Sequence, residues 1–207
     1  MVNAIVEILA LLNFLILNIS AILSFVIYTL SVRPASREKK IGQRAYKEGK
    51  ILRVVSDILW LILLINLFLW KFVPISELNW KIIANDSLAV GISIIIAIPF
   101  VIIIFKSIMV AGKETIKPSE ETKLYGGIYK HIRHPQIAGS IPLFIIICLG
   151  INSLFLLIWF SVLMVLIIPI VIYYEEKDLI LRFGEEYINY KEKTGAIFPK
   201  FERKKHR

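Results

Sequence analysis

The chain has 207 residues, 57% of them hydrophobic, and a mean hydropathy of +0.72. A soluble domain averages roughly 45–50% apolar residues even with glycine counted. Here the excess is gathered into runs near the ~20 residues that a bilayer core requires, which excludes an ordinary soluble domain. The net charge of +9 is carried between those runs, so the expected partners of the basic residues are membrane lipids and not nucleic acid.

Five apolar segments follow in order. The first runs from about Val2 to Val32 with Glu7 its only charge; it lacks the basic start of a signal peptide. The second covers about Ile51–Val73, and the third about Ser87–Phe105, with Asp86 or Ser87 as the expected N-cap. The fourth covers about Gln136–Leu149 and contains Cys148, the single cysteine, expected to be a small buried hydrophobe. The fifth covers about Leu154–Tyr174; only Gly150 to Ser153 separate it from the fourth, which demands a tight helical hairpin. Pro99, Pro142 and Pro169 fall inside the last three segments and should kink them, either as ordinary bends of membrane helices or so as to splay helix ends around a cavity. Asn13, Asn18 and Asn66 are placed to make hydrogen bonds between spans. From Glu175 to Lys193 the pattern becomes amphipathic: Leu179, Phe183 and Tyr187 recur every four residues, and Gly195 stands just beyond. The expectation is an all-α integral membrane protein forming one domain over residues 1–207, with five transmembrane helices and an amphipathic C-terminal helix on the membrane surface.

Lysine and arginine orient this layout. Taken between successive segments, they number eight from Arg33 to Arg53, two from Lys71 to Lys81, six from Lys106 to Arg133, none in the turn after Gly150 and nine from Lys177 onward. The alternation satisfies the positive-inside rule at every loop if the N-terminus is outside and the C-terminus is cytoplasmic.

Two clusters on the basic side carry chemical potential. One is the run from Gly126 and Gly127 through Ile128, Tyr129, Lys130, His131, Ile132, Arg133 and His134 to Pro135, which opens the fourth span. Glycine lets backbone approach a ligand, and Pro135 presets a first helical turn whose N–H groups lack partners. The other is Glu175-Glu176 at the same end of the fifth span, a costly place for carboxylates unless they meet a cation or hydroxyl donors. Both clusters also have structural readings: Arg133 snorkelling to headgroups, and the Glu pair starting the surface helix at its dipole-favoured end. His131 and His134 lie three apart, but no third ligand is evident, so no metal is expected.

This ordered set resembles the isoprenylcysteine carboxyl methyltransferase family, which belongs with the membrane phospholipid methyltransferases; the resemblance runs from about Lys123 to Phe201. It rests on Gly127-Ile128-Tyr129, on Arg133-His134-Pro135 with Gly139, on Glu175-Glu176 and on Phe183-Gly184-Glu185-Glu186-Tyr187. The ending Lys193-Thr194-Gly195 through Phe198-Pro199 is most like prokaryotic members. The resemblance implies methyl transfer from S-adenosyl-L-methionine to a prenylated or other lipid acceptor that enters sideways from the bilayer. It implies Arg133, Glu175 and Glu176 as catalytic residues. It implies Lys123, Leu124, Gly127, Ile128, Tyr129, His134, Pro135, Gly139, Glu175, Glu176 and Tyr187 as cofactor contacts. The chain departs from the pattern twice. Ile137 stands where an aromatic residue is usual, and the turn before the Glu pair, Ile170 to Tyr174, lacks the arginine of carboxyl-methylating members. A phospholipid amine is therefore an alternative acceptor, with Arg133, Lys123 or Arg182 as substitute cations for a carboxylate. A nicotinamide-dependent membrane reductase is a more distant alternative, since such enzymes share an Arg-His-Pro element.

The topology predicts a labelling pattern. In Cys148→Ser protein carrying new cysteines at Ser36, Ser76 or Ser119, an impermeant thiol reagent applied to sealed cells should modify the Ser76 position alone; labelling at either other position would overturn the orientation.

Overall fold

The computed structural model describes residues 2–112 and 126–200. Seven α-helices occupy the described residues: α1 Val2–Ser31, α2 Pro34–Ile41, α3 Arg44–Leu69, α4 Asp86–Ala111, α5 Pro135–Ile151, α6 Leu154–Phe183 and α7 Glu185–Lys193. Of these, α1, α3, α4 and α6 are long and apolar enough to cross a membrane. The fifth apolar helix, α5, has 17 residues, which at 1.5 Å per residue gives about 26 Å, close to a ~30 Å hydrocarbon layer. The protein is an all-α integral membrane protein.

Helix α1 packs along α3 and α4 along α5, while α6 lies against α5 and α1 and joins the two pairs. Water does not drive helices together inside lipid, so close backbone approach and interhelical hydrogen bonds do. At the first seam Leu17, Ser24, Ser56, Leu63 and Leu67 are fully buried, and a Cβ on Gly49 would stand 3.2 Å from the Ser31 carbonyl oxygen. Asn13 donates to the Asn66 carbonyl (3.2 Å) and Ser56 to that of Ser24 (3.0 Å), both across the seam. Asn18 accepts from the Trp159 indole of α6 at 3.0 Å. The Asn66 side chain itself turns back to the Ile62 carbonyl on its own helix. At the second seam α4 fills the space where Gly139 and Gly150 lack side chains: a Cβ there would come within 2.6 Å of Ile104 and 2.8 Å of the Ser93 hydroxyl.

The hairpin between α5 and α6 is tighter than the sequence suggests, because α5 continues through Ile151. Asn152 adopts the left-handed conformation (φ 66°) and Ser153 caps α6. Asn152 also accepts from the Ile82 and Ile83 amides and donates to Asp86 (2.6 Å), which meets Lys71 and Lys81. The N-cap of α4 is Asn85, not Asp86 or Ser87; its side chain accepts from the Leu88 amide at 3.1 Å.

The expected surface helix from Glu175 to Lys193 requires correction. Nothing breaks the backbone at Tyr174, so α6 runs on to Phe183, and the chain turns instead at Gly184 (φ 57°), a conformation that glycine adopts without strain. The Glu pair thus sits two turns before the end of a 30-residue helix, and the polar helix α7 is a separate element folded back against it. The same extension of α6 carries Asp178, fully buried, whose carboxylate accepts from the amides of Ala35 (3.2 Å) and Ser36 (2.6 Å). It therefore satisfies the free N–H groups of the first turn of α2.

Gly139 tests the second seam. Because α4 backbone stands 3.0 Å from the site of a Cβ, Gly139→Val should force the helices apart. The variant should lose about 1–3 kcal/mol of stability, seen as a lower melting temperature in detergent, whereas Gly91→Ala, where a Cβ meets nothing, should leave it unchanged.

Candidate functional site

The segment before α5 is held by the far end of the chain. A short 3₁₀ turn at Gly127–Lys130 leads to Ile132, which bridges to Gly195 in parallel register. The Arg133 amide donates to the Gly195 carbonyl (2.8 Å) and the His134 amide to that of Ala196 (2.9 Å). Only glycine fits at 195, since a Cβ would overlap the Phe198 carbonyl. The Tyr190 hydroxyl of α7 donates to the Tyr129 carbonyl at 2.6 Å. Pro135 then starts α5, buried at its first position.

These contacts set Arg133 and His134 against the Glu pair of α6. Arg133 donates through Nε and Nη2 to Glu176 Oε1, both at 2.7 Å, and through Nη1 to the carbonyls of Lys191 (3.1 Å) and Thr194. Lys191 Nζ reaches Glu176 Oε2 at 2.6 Å. His134 Nε2 lies 3.2 Å from Glu176 Oε1, and its Nδ1 lies 3.2 Å from Glu175 Oε2. Both ring nitrogens therefore face carboxylate oxygen, an arrangement that suits the imidazolium, which donates at both. Burial alone would lower the His134 pKa, but the charge and hydrogen bond of Glu175, with those of Glu176, hold it up at about 9. Glu176, 5% exposed, is thus enclosed by three cationic side chains, while the Glu175 side chain keeps a quarter of its surface open.

Two tyrosines complete the cluster. Tyr187 is 2% exposed, and its buried hydroxyl has no hydrogen-bond partner among the described residues. Burial first, and then the charges of Glu176 and Glu175, push its pKa up, so it stays a neutral phenol with a proton to donate. Tyr129 is buried on the 3₁₀ turn, and its hydroxyl bonds to the Gln136 side chain; burial first, and then Glu175, push its pKa up too.

An apolar cavity of about 340 Å³ opens between the spans, and its lining reaches Gln136, two residues after His134, and Val171, one turn before Glu175. Its walls come from α1 (Phe25, Tyr28), α3 (Trp60, Leu64), α4 (Ile104, Ile108), α5 (Gln136 to Phe144) and α6 (Met164 to Val171). The Trp60 ring packs on Phe25 (4.9 Å between centres) and on Phe144 (4.6 Å) at the apolar end.

Of the residues singled out from sequence, the structure brings together Arg133, His134, Glu175 and Glu176, and their field reaches Tyr187. Gly127, Ile128 and Tyr129 form the adjoining turn, and Gly127 faces Val110 of α4 at φ 53°. Gly139 faces α4 across the second seam. Lys123 and Leu124 lie outside the described residues, and His131 is exposed. Sequence reasoning did not find Lys191 or the carbonyls of residues 194–196, and it raised a cavity between kinked spans without naming its lining. Only the ending around Gly195 gave any sign of the backbone pairing.

Residues 87–186 match the family model described as phospholipid methyltransferase. The match runs from the first turn of α4 to the first turn of α7, so it takes in Arg133, His134, Glu175 and Glu176 and leaves α1–α3 outside. No curated protein and no solved structure matches the chain.

The His134 environment predicts a pH dependence. Its folded-state pKa of about 9 stands above the ordinary 6.5, so its contribution to stability is full below 6.5 and is lost as pH rises through about 9. The melting temperature in detergent should fall between about pH 7 and pH 10, and His134→Gln should flatten that slope; an equal slope in the variant would remove His134 as its cause.

Proposed function

We propose, from the premise that residues 87–186 belong to the phospholipid methyltransferase family, that this chain transfers a methyl group from S-adenosyl-L-methionine to a lipid-borne acceptor at the membrane boundary. The supporting observation is the juxtaposition of an apolar cavity with the buried His134–Glu175–Glu176 cluster. On α6, Met164, Ile168 and Val171 line the cavity, and the next residue on that stripe is Glu175. A lipid tail lying in the cavity therefore leads its head towards the carboxylates. The excess of Lys and Arg on the loops at this end makes it the cytoplasmic side, with the N-terminus outside.

The residues fit the methyl donor. Glu175 keeps an open face for a sulfonium cation or for ribose hydroxyls, and Tyr187 holds a buried O–H in want of an acceptor. With His134 and the backbone of Gly127–Tyr129 they form the binding set. Bound there, S-adenosyl-L-methionine supplies an electrophilic methyl group, whose direct displacement needs alignment and exclusion of water more than acid or base work. Arg133, Glu176 and Lys191 fix the frame: their mutual pairing fastens α7 and the start of α5 to α6. The match to a methyltransferase family is equally consistent with a carboxyl and an amine acceptor, and it lends no support to the nicotinamide-dependent alternative.

S-Adenosylhomocysteine should raise the melting temperature of the purified protein, because a ligand that binds only the native state stabilises it by mass action, by about 2.7 kcal/mol at a hundred times Kd. Tyr187→Phe should weaken that binding by about fivefold to tenfold, the loss of one buried hydrogen bond, without unfolding the protein. Incubation with labelled methyl donor and total membrane lipid should place the label in the lipid phase. Absence of any shift in the wild-type protein, or faster labelling of a water-soluble acceptor that has no tail, would overturn the reading.

A further inference from the structure

Between α1 and the apolar part of α3 the chain carries eight Lys and Arg, from Arg33 to Arg53, against two carboxylates, Glu38 and Glu48. Glu48 is shared between Arg37 and Arg44, the latter at 3.0 Å. Gly42, at φ 63°, ends α2, and its carbonyl accepts from the Ala45 amide at the start of α3. The last turn of α2, with Lys39 and Lys40, therefore adjoins the first turns of α3, with Arg44, Lys47 and Lys50. Lys39, Lys40, Lys47 and Lys50 are all exposed, and none meets a carboxylate among the described residues.

The register of α3 shows where two of these lysines point. Ala45 and Gly49, four apart, are buried against the rest of the bundle. Lys47 and Lys50, three apart, share the opposite face. Further along, that face presents Ile51, Val54 and Ile58, each exposed and therefore turned to lipid. Trp60 and Leu64, which line the cavity, stand on another side of the helix. Two ammonium groups are thus placed where a lipid-facing apolar stripe begins, which is the level of the headgroup phosphates. A lysine stem there lies along apolar surface while its charge reaches the phosphate.

We infer that Lys47 and Lys50 form a binding site for one anionic phospholipid, with its phosphate on the two lysines and an acyl chain along Ile51, Val54 and Ile58. Arg44, Lys39 and Lys40 add positive potential around it. A zwitterionic lipid brings its own ammonium and gains little from that potential, whereas a lipid with net negative charge gains from every lysine near the surface. The bound lipid resides on the outer face of α3 and is not the methyl acceptor. Its site lies outside the residues that match the family model.

The test gives the full chain in detergent an equimolar mixture of dioleoyl phosphatidylglycerol and dioleoyl phosphatidylcholine, and native mass spectrometry counts the lipid retained. One phosphatidylglycerol should be retained in preference to phosphatidylcholine by at least about twentyfold, and Lys47→Gln or Lys50→Gln should each cut that preference about fivefold. The double variant should hold the two lipids within about twofold of each other. Lys193→Gln, which removes an exposed charge from α7, should leave the preference as it was. Glycerol 3-phosphate in large excess should not displace the lipid, because it has no chain to lie on the stripe. Phosphatidylglycerol should also raise the melting temperature of the wild-type protein and not that of the double variant. Equal retention of the two lipids by the wild-type protein would overturn the inference, as would an unchanged preference in the double variant. A loss in Lys193→Gln as large as that in Lys47→Gln would replace the site with diffuse charge, and displacement by glycerol 3-phosphate would replace the lipid with free phosphate; either result overturns it.

Discussion

A carboxylate placed at the edge of a membrane must be neutralised, and in this protein Glu176 organises everything near it through that demand. Taking an ion out of water costs several kcal/mol unless its partners are close and well aligned. Glu176 meets Arg133, His134 and Lys191 within 3.2 Å. These side chains come from the lead into α5 and from α7, while Glu176 itself belongs to α6. One buried charge therefore draws three chain segments to a single point. The main-chain pairing of Arg133 and His134 with Gly195 and Ala196 then fixes the register in which they meet. His134 extends the same network to Glu175, which leaves one carboxylate closed in and its neighbour partly open.

The molecule divides its work between two helix groups. The ion cluster is built by α5, α6 and α7, within and just beyond the stretch that matches the methyltransferase family. The outer wall of the cavity is built by α1 and α3, which lie outside it. Helix α2 ties the groups together, since its first amides are held by Asp178, two residues past Glu176. The two groups converge at the cavity, where Phe25 and Tyr28 of α1 and Trp60 and Leu64 of α3 share its lining with Met164, Ile168 and Val171 of α6.

The spans were legible because bilayer thickness sets a long apolar run that no turn interrupts, and the Arg-His-Pro and Glu-Glu clusters were legible because charge at a span end is costly and therefore rare. The end of α6 was misplaced for a related reason. A drop in hydropathy after Tyr174 marks the edge of lipid, not the end of a helix, and the actual break at Gly184 was hidden inside an amphipathic stripe. Lys191 lacked any signal, as one of nine lysines and arginines in a basic tail. The carbonyls of residues 194–196 had little beyond Gly195, because main-chain partners leave no side-chain pattern. The prolines allowed for a cavity, but its lining was invisible because residues such as Ile141 and Met164 belong to the same types as those that face lipid.

The clasp between residues 132–134 and 194–196 also fixes a sequence in time. Translation delivers α5 and α6 to the membrane before α7 and the strand-like segment behind it exist. During that interval Glu176 lacks Lys191, and Arg133 lacks both of its carbonyl acceptors. The nascent hairpin therefore holds an incompletely compensated ion pair at the bilayer surface, and the site closes only when some twenty further residues have emerged. A ribosome that stalls near Glu185 leaves behind helices that are inserted but unsealed, with charged groups still hydrated where the finished protein excludes water.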